Sequence, residues 1–528
     1  MQKLCPDITM VTPDAPLAAN THGGRAKCLQ RLVRLDMPVP GTVALSFDTV
    51  AAIASGDTPD MTKLMVPFGT APILCVRPSS QDPDWGGPRA LLNIGMNDER
   101  YAELSQEIGQ ESAASLYQRF VQSYAVHVAR VDADLFDDCG DHPEEALRCA
   151  LTAYEEEIEE PFPQDAEVQL LEVLRSMARA WQGTSARLLR QAKGAPVDAG
   201  LGLIVQKMAL GLGHGECGSG VMQLVDGVTG ERRCTGRYQS QSQGREALAG
   251  GKEAMFLQKD ARGPSLEDLA PDEFAKLKEY TQLMRDRLRE ELQAEFTIMN
   301  GKVFILDGVK VSRSARGAVS IAVALAEDGI ISREEAILRI EPRSLNELLH
   351  RQIDPDAPRD VLARGIGASP GAAAGIIVFT AEEAQAADAR DEACILVRRE
   401  TNPEDIRGMH SAAGVLTEKG GITSHAAVIG RGIGKPCVVG ASDISFQPKE
   451  QQLVFPDGRV FKAGDMITID GSNGQVLAGE APTLQAARDD AFKTLMIWAD
   501  EHRDIDVRAN AATPADAKVA RTFNAQGI

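Results

Sequence analysis

The chain has 528 residues, 43% of them hydrophobic. A chain of this length is too long for one hydrophobic core, so we predict several domains. Its formal net charge of −20 argues against nonspecific binding to nucleic acid or anionic lipid, because both would repel it. The amino terminus has no continuous apolar signal region, and no later segment approaches the ~18 apolar residues of a membrane span, so we expect a cytoplasmic protein. The nine cysteines lie far apart without a CxxC pair, and we expect them to be reduced.

The first 340 residues predict a mixed α/β domain. A glycine turn and a helix, "GGRAKCLQRLVRLDMPVP", precede the strands "GTVALSF" and "APILCVRPSS". Apolar residues three and four positions apart predict a helical section at about 99–191. Strands resume at "LGLIVQKMAL", and a helix over Asp272–Gln293 leads into the hairpin "AEFTIMNGKVFILDG", whose Asn-Gly pair is a strong turn signal. The loop "GLGHGECGSG" with His214 is more typical of a plain turn than of a phosphate cradle.

A second set of elements follows a connector at 341–360, which contains the Pro/Asp-rich "RQIDPDAPRD". Residues 361–480 predict a compact unit of short strands with one prominent helix. Residues 481–505 predict a linker helix that is capped by Thr483. Residues 506–528 predict a strand, a helix with Thr513 as N-cap, and the start of another strand. One such βα unit cannot close a sheet by itself.

The segment "GGITSHAAVIGRG" places His425 in the first turn of a helix whose N-cap is Thr423 or Ser424. Unpaired backbone N–H groups and the helix dipole favour an anion at this position. If the neutral imidazole attacked a phosphoryl donor, the phosphohistidine would be stabilised there, with further hydrogen bonds from the two hydroxyls. Gly420 and Gly421 would let the donor's phosphates approach the backbone. The alternative is a histidine that only makes a local hydrogen bond.

The block "GGITSHAAVIGRGIGKPCVVG" resembles the phosphohistidine domain of the phosphoenolpyruvate (PEP)-utilising enzymes. The stretches "ASPGAAAGIIVFTAEEA", "ILVRRETNPEDIRGMHSAAGVLTEKGG" and "GDMITIDGSNGQVLAG" resemble the same domain in the pyruvate, phosphate dikinase family, and the resemblance covers nearly the whole chain. It implies a multidomain α/β fold with an ATP-grasp-like domain at 1–340 and a swivelling phosphohistidine β/β/α domain at 361–480. It further implies that 506–528 is the stub of a (β/α)8 barrel that is almost entirely missing.

The family reaction converts ATP, phosphate and pyruvate into AMP, pyrophosphate and PEP, with Mg²⁺ as cofactor and the phosphoryl group carried on the residue that His425 matches. For the nucleotide site, the resemblance implies that Arg25 replaces a lysine and that Arg77 is a phosphate-contacting arginine. Glu295 matches a magnesium ligand, and Asp307 replaces a glutamine yet is still a plausible hard-cation ligand. Ordinary hairpin carboxylates facing water are the alternative for both acids.

Three departures from the family pattern bear on activity. Val309 stands where the family has a catalytic arginine, and valine cannot stabilise phosphoryl charge. Arg237 stands where the family has a glutamate. Arg508 matches the first phosphate-binding arginine of the family's barrel, but the metal carboxylates and the acid that would follow it are absent.

Three functions are therefore open. The leading one is a dikinase-like phosphotransferase that uses a small-molecule phosphoryl donor and acceptor, with a separate barrel subunit as a candidate partner. The second is a catalytically degenerate paralogue with a regulatory or scaffold role, which Val309, Arg237 and the missing barrel favour. The third is a kinase that acts on another small molecule. We expect no nucleic-acid or membrane partner, and a homodimer is a further candidate.

Overall fold

The computed structural model describes residues 8–527 apart from 141, 244–253, 343–344, 346–347, 349, 355–356, 422–423, 448–449, 485–489 and 523–524. The chain divides into two compact units, Met1–Asp226 with Arg232–Ser312, and Gly227–Glu231 with Arg313–Ile528. This division falls after Ser312, and the connector at 341–360 stays a prediction. The mixed α/β multidomain class is confirmed, and the ATP-grasp and barrel assignments stay predictions.

The first unit contains a five-stranded antiparallel sheet in the order β1-β2-β5-β3-β4. Its strands are Ile8–Met10 (β1), Thr42–Leu45 (β2), Leu74–Ser80 (β3), Leu91–Ile94 (β4) and Leu201–Lys207 (β5). Helix α1 (Ala19–Arg34) packs on β3 and β5 and is kinked at Gly23, where φ is 87°. A Cβ at Gly23 would overlap the backbone carbonyl of Ser79, so only glycine lets α1 approach β3 this closely.

Helices cover one part of this unit. They are Phe47–Ser55 (α2), Met61–Met65 (α3), Asp98–Ile108 (α4), Gln110–Tyr124 (α5), Pro143–Ile158 (α6), Ala166–Gln182 (α7) and Thr184–Ala192 (α8). The ring of Phe162 lies at the centre of an aromatic cluster, with Tyr124 and Tyr154 each 5.3 Å away in edge-to-face contact. Cys139 and Cys149 form a disulfide in this region, so the expectation of nine reduced cysteines is wrong for this pair. Their separation of ten residues carries no recognisable motif, and the fold alone brings them together.

The same unit contains a second antiparallel sheet in the order β7-β6-β8-β9. Its elements are Gly218–Val225 (β6), Arg232–Ser240 (β7), Leu266–Leu269 (α9), Pro271–Leu288 (α10), Leu292–Met299 (β8) and Lys302–Lys310 (β9). The predicted hairpin is confirmed as β8–β9. Asn300 and Gly301 have φ values of 51° and 68°, as a type I′ turn requires. The hairpin places Glu295 directly opposite Asp307.

The strands of the second unit are Gln352–Ile353 (β10), Val361–Arg364 (β11), Ile366–Ser369 (β12), Ala372–Val378 (β13), Cys394–Arg398 (β14), Gly414–Thr417 (β15), Cys437–Val439 (β16), Ser445–Gln447 (β17), Gln452–Val454 (β18), Val460–Lys462 (β19), Met466–Asp470 (β20), Gln475–Ala478 (β21) and Thr483–Leu484 (β22). Eight of them form one sheet in the order β11-β21-β20-β13-β14-β15-β16-β12. Strands β13 to β16 are mutually parallel and the remaining neighbours are antiparallel. Strands β17 to β19 form a separate three-stranded sheet.

The helices of the second unit are Ala315–Glu327 (α11), Arg333–Leu338 (α12), Ala381–Asp388 (α13), Ile406–Ser411 (α14), His425–Ile433 (α15), Asp490–His502 (α16) and Pro514–Thr522 (α17). Helix α16 packs against α11 and α12. Thr483 lies in β22, paired with β10, so its predicted role as a helix N-cap is wrong. Thr513 does cap α17, because its hydroxyl accepts a hydrogen bond from the Asp516 amide at 3.2 Å. No helix in the described part of the chain is long and apolar enough to cross a membrane.

Candidate functional site

Two loops of the second unit meet at the carboxyl edge of its parallel strands. Because β14 and β15 run parallel, the segments that follow them leave the sheet at the same edge. The segment after β14 contains Thr401, and the segment after β15 leads into α15, whose first residue is His425. The topology therefore brings together two polar side chains that are separated by 24 residues in sequence.

The start of α15 is fixed by local hydrogen bonding and by one glycine. Ser424 is the N-cap, and its hydroxyl accepts a hydrogen bond from the Ala427 amide at 3.4 Å. Gly420 has a φ of 114°, and a Cβ there would lie 3.0 Å from the Cβ of Ser424. The backbone before the helix thus requires glycine at 420, whereas a Cβ at Gly421 would meet nothing within 4 Å. Thr423 lies outside the described residues.

Thr401 is the site residue that the sequence reasoning missed. Its Oγ1 lies 3.3 Å from Nδ1 of His425, and its side chain is buried with 5% of the residue exposed. Asp405 holds the Thr401 loop by accepting hydrogen bonds from the Asn402 amide at 2.9 Å and from Nε of Arg398 at 3.2 Å. A hydroxyl at Nδ1 orients the imidazole, because it can accept from Nδ1–H or donate to an unprotonated Nδ1. The usable signal in the sequence is the position of Thr401 three residues after a buried strand.

The small residues of α15 let the helix approach the sheet. Ala426 and Ala427 are buried, and a Cβ at Gly430 would lie 3.1 Å from the Cβ of Cys437 on β16. The Cys437 thiol donates to the Ala426 carbonyl at 3.6 Å. Burial raises the pKa of Cys437 to about 12, so this thiol is a packing group and not a nucleophile. This packing positions His425, which is partly exposed at the helix start.

The four predicted nucleotide and metal residues of the first unit form one buried group of charges. Arg25 on α1 donates through Nε to Oδ2 of Asp307 at 2.6 Å. Arg77 on β3 forms an ion pair with Glu295 and lies 3.5 Å from Oδ2 of Asp307. Arg77 also donates to the backbone carbonyl of Leu306 at 2.8 Å. The structure therefore brings Arg25, Arg77, Glu295 and Asp307 together, as a site shared by all four requires.

The pKa values in this group follow from its balance of charges. Burial opposes ionisation of Asp307, but the positive charges of Arg25 and Arg77 outweigh burial and lower the pKa of its carboxyl group. Burial also opposes the charge on Arg77, while the negative charges of Glu295 and Asp307 raise the pKa of its guanidinium. The opposite charges around them thus favour the charged forms of Asp307 and Arg77. The group pairs two carboxylates with two guanidinium groups.

This arrangement does not fit a magnesium ion. Mg²⁺ needs carboxylate oxygens that are available for octahedral coordination. Here Oδ2 of Asp307 contacts two guanidinium groups, Oδ1 accepts from the Gly308 amide at 2.9 Å, and Glu295 is paired with Arg77. In the part of the chain that the structure describes, no group of three or more His, Cys, Asp or Glu residues could hold a metal ion.

The structure also describes the surroundings of the other predicted residues. Val309 is on β9 opposite Gln293, Arg237 is exposed on β7, and His214 is exposed in its loop. Arg508 is exposed and forms an isolated bridge with Gly527.

Both loops of the candidate site in the second unit lie in a segment that matches one protein family. Residues 390–474, which include Thr401 and His425, match the mobile domain of the PEP-utilising enzymes. The chain is 40% identical over 480 residues to a pyruvate, phosphate dikinase of Rhizobium meliloti, covering 86% of this chain and 53% of that protein. It is 35% identical to the Rickettsia conorii protein of that name over 86% of this chain and 54% of the relative. It is 36% identical to the Clostridium symbiosum protein of that name, over 83% of this chain and 52% of that protein. The chain thus spans about half the length of the curated relatives it matches.

Proposed function

Because the chain belongs to the pyruvate, phosphate dikinase family, we propose that it is a phosphotransferase in which His425 carries the phosphoryl group. One observation carries this proposal: His425 begins α15 while its Nδ1 faces the buried hydroxyl of Thr401. A nucleophilic imidazole needs a fixed orientation, and this contact supports one. The helix start supplies amide dipoles for the negative charge that the ring would gain.

The transfer step follows from the two ring nitrogens. When Nδ1–H donates to Oγ1 of Thr401, the lone pair is left on Nε2. Nε2 attacks the phosphorus of the donor, a P–N bond forms, and the P–O bond to the donor breaks with its electron pair leaving on oxygen. The acceptor then reverses these bond changes. Nε2 is the proposed nucleophile, because Thr401 contacts the other ring nitrogen and the side chain is partly exposed.

PEP and pyruvate are the proposed donor and acceptor pair at His425. The support is the name of the relatives, which specifies pyruvate and phosphate, and the match of residues 390–474 to a PEP-utilising domain. ATP is the further donor that the family implies. The two candidate metal ligands of the first unit, Glu295 and Asp307, are already paired with Arg25 and Arg77. The proposed transfer therefore includes no step that depends on magnesium bound by these two carboxylates.

A second candidate function is a regulatory or scaffold protein that keeps the fold without the chemistry. The observation that favours it is the neutralised charge group of the first unit, together with Val309 at the position of a catalytic arginine. The two functions differ in one measurable property, which is whether His425 becomes phosphorylated.

Labelling of the protein distinguishes them. The purified chain is incubated with ³²P-labelled PEP and the barrel of a dikinase, and in parallel with labelled ATP. We expect an acid-labile, base-stable label that disappears in His425→Asn, because asparagine fills similar space without a nucleophilic nitrogen. His410→Asn, which changes an exposed histidine of α14 in the same unit, should keep the label. Equal labelling of His425→Asn contradicts the carrier role, and no label from either donor supports the regulatory role.

A further inference from the structure

The charge group of the first unit joins two separate sheets. Arg25 on α1 and Arg77 on β3 belong to the five-stranded side, whereas Glu295 on β8 and Asp307 on β9 belong to the four-stranded sheet. The paired residues are 282 and 218 positions apart in sequence. The contacts are therefore tertiary links between the two halves of the unit.

We propose that Arg25 and Arg77 take the place of a divalent cation between Glu295 and Asp307 and hold the two sheets together without metal. The four residues are called the arginine latch. The latch lies in the first unit only and does not depend on phosphorylation of His425.

Charge balance is the first argument for the latch. Glu295 and Asp307 lie directly opposite each other in the hairpin, and their side chains are only 12% and 3% exposed. Two carboxylates this close and this buried need two positive charges, because an uncompensated buried charge is strongly unfavourable. One divalent cation or two guanidinium groups would satisfy this requirement, and the structure contains the two guanidinium groups.

Hydrogen-bond geometry is the second argument. A guanidinium group has several N–H donors in a fixed plane, so one side chain can bind a carboxylate and a backbone carbonyl at once. Arg25 does this with Asp307 and the Pro78 carbonyl, and Arg77 does it with Glu295 and the Leu306 carbonyl. A lysine ammonium could supply the charge at position 25 but not this planar set of donors.

The latch excludes a cation by occupying its ligands. A metal ion would have to displace both guanidinium groups from the carboxylates, which would leave two partly buried arginines without these partners. The first unit should therefore neither bind a divalent cation at these residues nor change stability when a chelator is added.

Manganese binding to the full-length chain tests the exclusion. The free Mn²⁺ signal in electron paramagnetic resonance should be unchanged by the wild-type protein. In Arg25→Gln/Arg77→Gln the carboxylates lose their partners, so the melting temperature should fall and added Mn²⁺ should raise it again. The matched control is Arg285→Gln, which removes the ion-pair partner of one buried carboxylate, Glu291, in the same unit. The melting temperature of this variant should be lowered, and added Mn²⁺ should not raise it.

A double-mutant cycle tests the attraction itself and does not need the double arginine variant to fold. Arg25→Gln and Asp307→Asn are each expected to raise the unfolding equilibrium constant, and the combined variant should raise it about tenfold less than the product of the two single effects. Mn²⁺ binding to the wild type that Glu295→Gln removes would overturn the proposal. The proposal would also be overturned if the effects of Arg25→Gln and Asp307→Asn on the unfolding equilibrium constant simply multiplied. A third contrary result would be an Arg25→Gln/Arg77→Gln variant that folds and whose melting temperature does not change with added Mn²⁺.

Discussion

Thr401 and His425 are hydrogen-bonding neighbours across two loops, with Oγ1 of one 3.3 Å from Nδ1 of the other. Thr401 comes from the segment after β14 and His425 from the start of α15. The orientation of the imidazole therefore depends on a residue outside its own helix, and the phosphoryl-carrier role can be tested without changing the histidine.

Replacing Thr401 by valine should slow labelling of His425 by roughly fivefold, because one orienting hydrogen bond is worth about 1 kcal/mol. Thr401→Ser should restore most of the rate, since serine keeps the hydroxyl. Rapid-quench labelling measures the rates, and the melting temperatures of the two variants show whether packing has changed. If valine and serine slow the reaction equally, the hydroxyl has no positioning role.

Gly420→Ala should destabilise the protein by about 1 kcal/mol or more and reduce labelling, because its φ of 114° is unfavourable for a residue with a Cβ. The added Cβ would also crowd Ser424, the N-cap of α15. Gly421→Ala is the matched control, since a Cβ there meets nothing within 4 Å. Urea unfolding compares the two variants, and equal effects at both positions would contradict the argument from φ.

The disulfide between Cys139 and Cys149 should stabilise the first unit by about 2–3 kcal/mol, because it closes a short loop in the unfolded chain. Cys149→Ser should lower the free energy of unfolding by that amount under non-reducing conditions and have no effect after reduction with dithiothreitol. Peptide mapping without reductant should recover the cross-linked pair. Cys234→Ser, at a cysteine outside any disulfide, is the control. Recovery of only unlinked peptides would show that the pair is reduced.

His502 should contribute to stability at low pH and lose this contribution as pH rises. Its Nδ1–H donates to the Trp498 carbonyl and its Nε2–H to Glu334, each at 2.7 Å, and these two bonds raise the pKa of the imidazole. Because the pKa of His502 is higher in the folded state than in the unfolded state, the imidazole stabilises the folded protein. This stabilisation is fully present below the unfolded-state pKa of ~6.5 and is lost as the pH rises through the folded-state pKa. An NMR titration of His502 should show the raised pKa, and Glu334→Gln should bring it closer to the ordinary value. An unchanged pKa in that variant would remove Glu334 as a cause.

Features that depend on neighbouring residues could be read from the sequence. The Asn300-Gly301 turn, the Thr513 cap and the helix start at His425 follow from backbone preferences and short-range hydrogen bonds, and the structure contains all three. The family resemblance also came from a continuous stretch around His425. These features are set by residues within a few positions, so they need no knowledge of distant segments.

Boundaries between elements already depend on tertiary contacts. The predicted helix over 272–293 ends at Leu288, since Leu292 starts β8, which pairs with β6 and β9. Thr483 forms a strand with β10 in place of a helix cap. Pairing with a distant strand satisfies backbone groups that local helix formation would otherwise satisfy.

The partners of charged and reactive side chains were decided by the fold alone. The family resemblance predicted a nucleotide site with Arg25, Arg77, Glu295 and Asp307, but only the structure pairs each carboxylate with a guanidinium across 218 or 282 residues. Likewise, Thr401 became a partner of His425 because β14 and β15 are parallel neighbours. Whether a buried carboxylate binds a metal or an arginine depends on which positive charge lies within hydrogen-bonding distance, and that distance is a property of the tertiary structure.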